Sequence, residues 1–194
     1  MRIRLDPMRI RVAITTTVPG FTMQLQPCDS LCWAAVTLSV NLWRKPQLAL
    51  TMCTVVQDSL GVTDCCSELN AVGSCACNED CNQDFVLFNA LQAVNALEHT
   101  GVAPNMLTGT TEAGTIWSSI QSEIDQGRVI CCKIDFGGVS NHYVVVWSYT
   151  TYSNGSITVA VQDPLYPSQS WELDQFLNNY NGCGGVCCEL TTIM

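Results

Sequence analysis

The apolar residues of this 194-residue chain change their spacing about halfway along it, and this change constrains the fold more than any other feature. In the first half, apolar residues recur every three or four positions, which is typical of helices with one buried face. In the second half, they form short β-branched and aromatic runs separated by turn residues, which is typical of strands. Helices followed by antiparallel strands predict an α+β fold with a cleft between the two parts.

Four helices are predicted in the first half, each with a local start or stop signal. Asp29 and Ser30 are suitable N-caps for the first helix. Gly61 is expected to stop the second helix and Gly127 to follow the fourth. A cysteine-rich loop over residues 64–82 separates the second helix from the third. The predicted helices cover residues 31–43, 51–60 and 85–98, and a fourth is marked by Ile116, Ile120 and Ile124.

Strands are predicted mainly in the second half. The runs over residues 129–136, 142–149 and 157–162 have strand composition, and residues 153–156 have the composition of a hairpin turn. A short helix over 173–180 and a closing strand over 186–193 complete the prediction. Near the start, the alternation of Met8, Ile10, Val12 and Ile14 predicts a further strand at a solvated edge.

The chain has thirteen cysteines, which is an unusually large number. Because the number is odd, oxidation of the cysteines in pairs would leave at least one free thiol. Zinc sites usually show Cys-x2-Cys knuckles, which the sequence lacks, and we expect no metal. Six cysteines lie between Cys53 and Cys81, and we expect two or more disulfides there, with Cys32 unpaired. Cys131 and Cys132 lie in an apolar run, where one of them is expected to be a core residue.

The charge balance excludes several classes of partner. With 8 basic and 17 acidic residues the net charge is −9, which disfavours nucleic acid as a partner. Uninterrupted apolar runs reach only five residues, so no membrane partner is expected. The first residues are basic, but Thr15, Thr16 and Thr17 interrupt any signal-peptide core. A disulfide-rich chain favours secretion or export by another route over the cytoplasm.

Three residues form a candidate catalytic group. Cys32 lies in the first turn of a predicted helix, where partial positive charge and free N–H groups favour a thiolate. His142 opens a strand after a glycine-rich approach and could take the proton of a thiol. Asp163 ends the next strand, so antiparallel pairing could place it beside His142. Taken by itself, Cys32 is more simply interpreted as a core cysteine, and His99 is expected to lie at the surface or to cap a helix end.

The segment from Gln26 to Cys32 and Trp33 resembles the active-site segment of papain-like cysteine proteases. In that family, a glutamine six residues before the nucleophile supplies the oxyanion hole, and a tryptophan follows the nucleophile. The segments around His142 and Asp163 are similar to the family's His and Asn/Asp segments. The sequence most resembles the compact bacterial branch that includes the AvrRpt2-type effector proteases, which use Asp as the third residue.

The resemblance implies one domain over residues 1–194 with a papain-like, two-lobed fold. An N-terminal strand and the approach to the oxyanion hole would occupy about residues 8–25. A mainly helical lobe would follow over 26–126 and a β-rich lobe over 127–194, with the active-site cleft between them. Cys28 stands four positions before Cys32, whereas plant and animal papain-like enzymes have a cysteine three positions before, so their disulfide is not carried over.

The same resemblance implies a cysteine endopeptidase. Cys32 would be the nucleophile, His142 the base, Asp163 the orienting residue and Gln26 an oxyanion donor. No cofactor is implied, and the expected partner is a protein or peptide substrate acted on by a monomer.

Alternative functions share the same pattern. Deamidases, transglutaminases and leader-peptide-cleaving C39 peptidases also use a Cys–His–Asp arrangement, and a non-catalytic binding module could keep the fold. Trp33, Trp147 and Trp171 are candidates for the cleft walls, although core packing is the simpler expectation for each.

Overall fold

The computed structural model describes residues 12–47, 49–66, 77–98, 104–107, 113–136, 141–182 and 187–193. It has the expected α+β architecture, with helices packed on an antiparallel sheet. Met8, Ile10 and His99 lie outside the described residues. The elements are β1 (Ala13–Thr17), α1 (Cys32–Arg44), α2 (Met52–Leu60), α3 (Leu87–Glu98), β2 (Pro104–Leu107), α4 (Ala113–Asp125), β3 (Ile130–Asp135), β4 (Asn141–Tyr152), β5 (Ile157–Gln162), β6 (Gln169–Glu172), α5 (Leu173–Asn179) and β7 (Cys187–Ile193).

Helix α1 begins one residue later than predicted, and its predicted caps are wrong. Its N-cap is Leu31, which makes no side-chain capping hydrogen bond. Ser30 does not cap the helix, because its N–H donates instead to Oδ1 of Asn82 at 2.9 Å and the chain there forms a separate turn. The first ten residues of α1 are buried, so this helix forms the centre of the helical region.

Helices α2 and α3 follow the sequence prediction closely. Thr51 caps α2 through a reciprocal pair of hydrogen bonds with Thr54, and Gly61 ends it with a φ of +68°. Helix α3 buries one face against α1 and α2, with Leu91 and Val94 fully covered. None of the helices in the described ranges is long and apolar enough to cross a bilayer.

Among the described residues the sheet has seven strands, and the long strand β4 is its centre. The strand order is β2-β7-β3-β4-β5-β6, and β1 pairs with the second half of β4 beyond the end of β3. The predicted hairpin between β4 and β5 is confirmed, with Gly155 at a φ of +85°. Sequence reasoning missed β2 and β6, which are four residues each and are too short to show alternation.

Helix α4 packs on the sheet. The predicted stripe of Ile116, Ile120 and Ile124 is buried, and α4 contacts β4, β1 and β3. Gly127, with a φ of +72°, closes the helix, and its N–H donates to the carbonyl of Ile124. The stretch over 26–126 is predicted to be mainly helical. Two of its elements belong to the sheet region, since α4 packs against the sheet and β2 is one of its strands.

Within the ranges that the structure describes, three disulfides link the segments around α1 and α2 and the segment before α3. The expectation of two or more disulfides in the helical region is therefore confirmed. Cys32 is not disulfide-bonded, and Cys131 on β3 is a buried core residue. The bonded pairs are Cys28–Cys77, Cys53–Cys66 and Cys65–Cys81.

Candidate active site

Cys32 is the first residue of α1, and its side chain faces the start of β4. The residue is only 4% exposed, and its sulfur lies 4.0 Å from the carbonyl oxygen of Asn141. The first N–H groups of a helix have no partner within the helix. If a substrate carbonyl carbon bonds to this sulfur, its oxygen would therefore lie close to N–H groups that have no partner within the helix.

His142 is the second residue of β4 and is buried. Its Nε2 lies 2.9 Å from Oδ1 of Asp163, and the Cys32 thiol is near enough to raise the pKa of the ring. Because Nε2 faces Asp163, Nδ1 is the ring nitrogen that remains for the thiol. The helical region and the sheet thus meet at a thiol and an imidazole.

Asp163 follows β5 directly, and antiparallel pairing of β5 with β4 brings it to His142. It is 3% exposed, and its carboxylate is saturated with hydrogen bonds. Oδ1 accepts from His142 and from the N–H groups of Leu165 at 2.7 Å and Tyr166 at 3.2 Å. Oδ2 accepts from the hydroxyl of Tyr180 at 2.6 Å. The structure therefore joins His142 to Asp163 directly, and Cys32 lies beside the residue that precedes His142.

The pKa values of His142 and Asp163 indicate an ion pair. Burial alone would lower the pKa of His142, but the hydrogen bonds and charges of Asp163 and Cys32 raise it to about 9. Burial alone would raise the pKa of Asp163, but the bonded His142, Tyr180 and Leu165 groups hold it below its usual value. At neutral pH, His142 is therefore an imidazolium beside a carboxylate.

Gln26 lies on the loop that leads into α1. Its side-chain Nε2 donates to the carbonyls of Cys28 at 2.9 Å and Asp29 at 3.0 Å. Its backbone N–H donates to the carbonyl of Pro164, the residue after Asp163. Both amide protons are therefore engaged by the loop, and one must be released before Gln26 can bind an oxyanion.

Two pockets open beside the Cys32–His142 pair, and both are lined by Asp84 and Asn141. The pocket on the cysteine side has a volume of about 240 Å³, with apolar walls that include Trp33, and the one on the histidine side has about 350 Å³. The remaining lining residues are Phe85, Val86, Lys133 and Tyr143 in the first pocket, and Asp29, Ser30, Phe136, Leu165 and Tyr166 in the second.

Of the three tryptophans proposed for the cleft, only Trp33 lines one of these two pockets. Its indole N–H donates to the carbonyl of Gln83, and its ring packs against Phe85 at 5.2 Å. Trp171 packs against Tyr180 with the two rings tilted at 46°, and Trp147 packs against the core. Trp147 and Trp171 therefore take the packing role that was the simpler expectation.

Sequence reasoning missed Tyr180 as part of this site. The residue ends α5 and carries no motif around it, so only its hydrogen bond to Asp163 identifies it. In the part of the chain that the structure describes, no group of three or more His, Cys, Asp or Glu residues could hold a metal ion.

Comparisons with known proteins give a family match for most of the chain. A model described as the Peptidase_C39 like family matches residues 40–188, a span that contains His142 and Asp163 and begins after Cys32. No curated protein matches the sequence. Among solved structures, the recombinant stem bromelain precursor is similar over 91% of this chain and 68% of that chain, with 13% sequence identity and a TM-score of 0.44.

Proposed function

We propose that this chain, which belongs to the Peptidase_C39 like family, is a cysteine endopeptidase. The proposed catalytic residues are Cys32, His142 and Asp163. Membership in the family indicates a cysteine peptidase-type function, and the proposal concerns the residues and the reaction. One observation carries it: a buried His142–Asp163 hydrogen bond of 2.9 Å lies beside a thiol at the start of a helix. These are the groups that nucleophilic acyl transfer requires.

In the proposed reaction, the Cys32 thiolate attacks the carbonyl carbon of the scissile peptide bond. The carbonyl oxygen then carries negative charge, which the Cys32 backbone N–H and the Gln26 amide stabilise. Nδ1–H of His142 protonates the leaving amine, and a thioester to Cys32 remains. Water, deprotonated by His142, cleaves the thioester and restores the thiol.

Asp163 has an orienting role in this mechanism. Its Oδ1 holds the Nε2 side of the imidazole, so that Nδ1 faces the sulfur. Two backbone N–H groups hold the same oxygen, which keeps the carboxylate from following the ring when His142 moves its proton. Placement within the AvrRpt2-type branch and a monomeric state are further parts of the proposal.

The disulfides indicate a non-cytoplasmic, oxidising environment, because reducing compartments keep such pairs open. We extend the proposal to secretion or export from the cell.

The first test is chemical labelling of the native protein with iodoacetamide, followed by mapping of the modified cysteine. Cys32 should react first. Cys131 serves as the control, because burial raises the pKa of its thiol to about 12 and it should stay unmodified. Equal reaction at both thiols, or none at Cys32, would overturn the assignment.

Product analysis then distinguishes the reaction types that share a thioester. Incubation with a mixed peptide library and mass spectrometry should reveal new N-termini in wild-type samples that are absent with Cys32→Ala. Conversion of glutamine side chains to acids without chain cleavage would instead show a deamidase. Linkage of an added amine to a substrate would show an acyltransferase. If no cleavage, deamidation or amine linkage is found while Cys32 still reacts with the label, the result would indicate a binding module.

A further inference from the structure

The second oxygen of the Asp163 carboxylate has a partner that the proposed reaction does not use. Oδ1 is occupied by His142 and by two backbone N–H groups, whereas Oδ2 accepts from the hydroxyl of Tyr180 at 2.6 Å. Both residues are almost fully buried, at 3% and 2% exposure, so water cannot easily replace this bond. An orphaned carboxylate oxygen at such depth is costly.

Tyr180 is held firmly in this position. It follows α5, and the chain then turns sharply through Asn181 and Gly182, both with positive φ angles. Its ring packs against Trp171 at 5.1 Å and edge-on against Phe176 at 5.7 Å. The aromatic cluster fixes the ring, and the fixed ring gives the hydroxyl one direction, which is towards Asp163.

We infer that Tyr180 is a positioning residue of this site, whose hydroxyl holds the Asp163 carboxylate in the orientation and ionised form that His142 requires. The inference rests on the proposed function of His142 and Asp163. Tyr180 does not contact the reacting atoms, and it acts through the carboxylate alone.

Several titratable groups face this hydrogen bond. His142 on β4 bonds to Oδ1, and Cys132 on β3 and Tyr166 after β5 lie close enough to Tyr180 to act on its charge. Burial and the neighbouring Asp163 raise the pKa of Tyr180, so its hydroxyl keeps the proton that it donates. Within this group, Asp163 is therefore the residue whose ionisation depends on Tyr180 at acidic pH.

The test is Tyr180→Phe, which removes the hydroxyl and keeps the ring. Without that donor the pKa of Asp163 should rise, and the acid limb of kcat/KM should move up by about one pH unit or more, because a hydrogen bond to a charged group is worth at least that much. kcat should fall roughly tenfold near the acid limb, with a smaller change in KM.

The chain offers a matched control. Tyr149 donates to Oδ1 of Asp125 at the same distance, 2.6 Å, between β4 and α4 and away from the cleft. Tyr149→Phe should cost stability but leave the pH profile unchanged. A second control is Tyr180→Phe in an Asp163→Asn background, where the shift of the acid limb should vanish because no carboxylate remains to titrate.

An NMR titration of the Nε2 proton of His142 reports on Asp163 without any substrate. With two histidines in the chain, one His142→Gln spectrum assigns the signal. A shifted titration in Tyr180→Phe without any peptide cleavage by the wild type would support the positioning role and overturn the proposed function. Normal cleavage with an unmoved titration and pH profile would overturn the role of Tyr180 and leave the proposed function standing.

Discussion

The helical region and the sheet region use cysteine in opposite ways. In the described part of the helical region, three disulfides link the loop before α1, helix α2, the loop after it and the segment before α3. In the sheet, Cys131 is buried without a disulfide, between strands that pair along most of their length. The difference teaches that covalent links lie where the backbone alone would leave the loops open, whereas backbone pairing and core packing hold the sheet.

Both regions nevertheless contribute to the candidate site. The proposed nucleophile, Cys32, comes from the disulfide-bonded helical region, and the proposed base, His142, and its carboxylate, Asp163, come from the sheet region. We therefore expect different interactions to stabilise the two regions, and we expect each region to be required for the proposed reaction.

The largest expected effect tests the chemical equivalence. Cys32→Ala and His142→Ala should each lower kcat/KM by about 10⁴-fold or more, because nucleophile and base act as a unit. Cleavage of a peptide substrate measures the effect, and circular dichroism checks that each variant is folded. If either variant turns over substrate within tenfold of the wild-type rate, the region that carries the substituted residue is not required for the reaction.

The next effect tests the structural difference. The double variant Cys65→Ala/Cys81→Ala should lose about 3 kcal/mol of unfolding free energy, since the link closes a loop with a sequence separation of 16 residues. Cys131→Ala in the sheet should lose only about 1 kcal/mol, as expected for a small core truncation. Urea unfolding followed by tryptophan fluorescence measures both. Equal losses would contradict the comparison.

Gln26 tests whether the loop between the two regions takes part in the reaction. If its amide binds the oxyanion, Gln26→Ala should lower kcat by about 10²-fold and change KM much less. Gln24→Ala, on the same loop segment, is the control. An unchanged rate would mean that Gln26 only holds the loop carbonyls of Cys28 and Asp29.

The smallest effects concern pH and lie within the sheet. The pKa of His142 is raised from 6.5 to about 9, so the stability that its charge contributes is complete below pH 6.5 and is lost as the pH rises through about 9. The pKa of Asp163 is lowered, so its contribution is present above pH 3.8 and is lost as the pH falls below that value. Activity should show an alkaline limb near pH 9.

Variants at Asp163 sharpen this expectation. Asp163→Ala should move the alkaline limb of kcat/KM to lower pH, because it removes the carboxylate, which is one of the two groups that raise the pKa of His142. Asp163→Asn should be milder in its effect on turnover, since an amide oxygen can still accept from Nε2 of His142. Greater loss of activity with Asn than with Ala would contradict the orienting role.

Local patterns predicted the parts of the fold that local forces decide. The isoleucine stripe of α4 and the hairpin before Ile157 follow from spacing and turn composition alone. Strand β6 and the start of α1 depend instead on distant partners, since Asn82 takes the N–H of Ser30 and β6 exists only through its pairing with β5. No local signal could have revealed either.

The same distinction holds for the site. Cys32, His142 and Asp163 are predictable because each stands at the end of a recognisable element, and in the structure His142 bonds to Asp163 while the Cys32 sulfur lies 4.0 Å from the carbonyl oxygen of Asn141. Tyr180 was missed because its role depends on the path of the chain after α5. The pairing of the cysteines was also beyond the sequence, since neighbours Cys65 and Cys66 bond to different partners.

If the chain has the proposed endopeptidase activity, one copy can cut another, and the Cys28–Cys77 link then has a consequence. A single cut anywhere from residue 29 to residue 76 would leave two fragments that this bond still joins. For cuts beyond Cys32, one fragment would carry Cys32 and the other His142, so self-digestion there would not separate the nucleophile from its base. Such a nicked protein would run as one band on a non-reducing gel and as two bands after reduction.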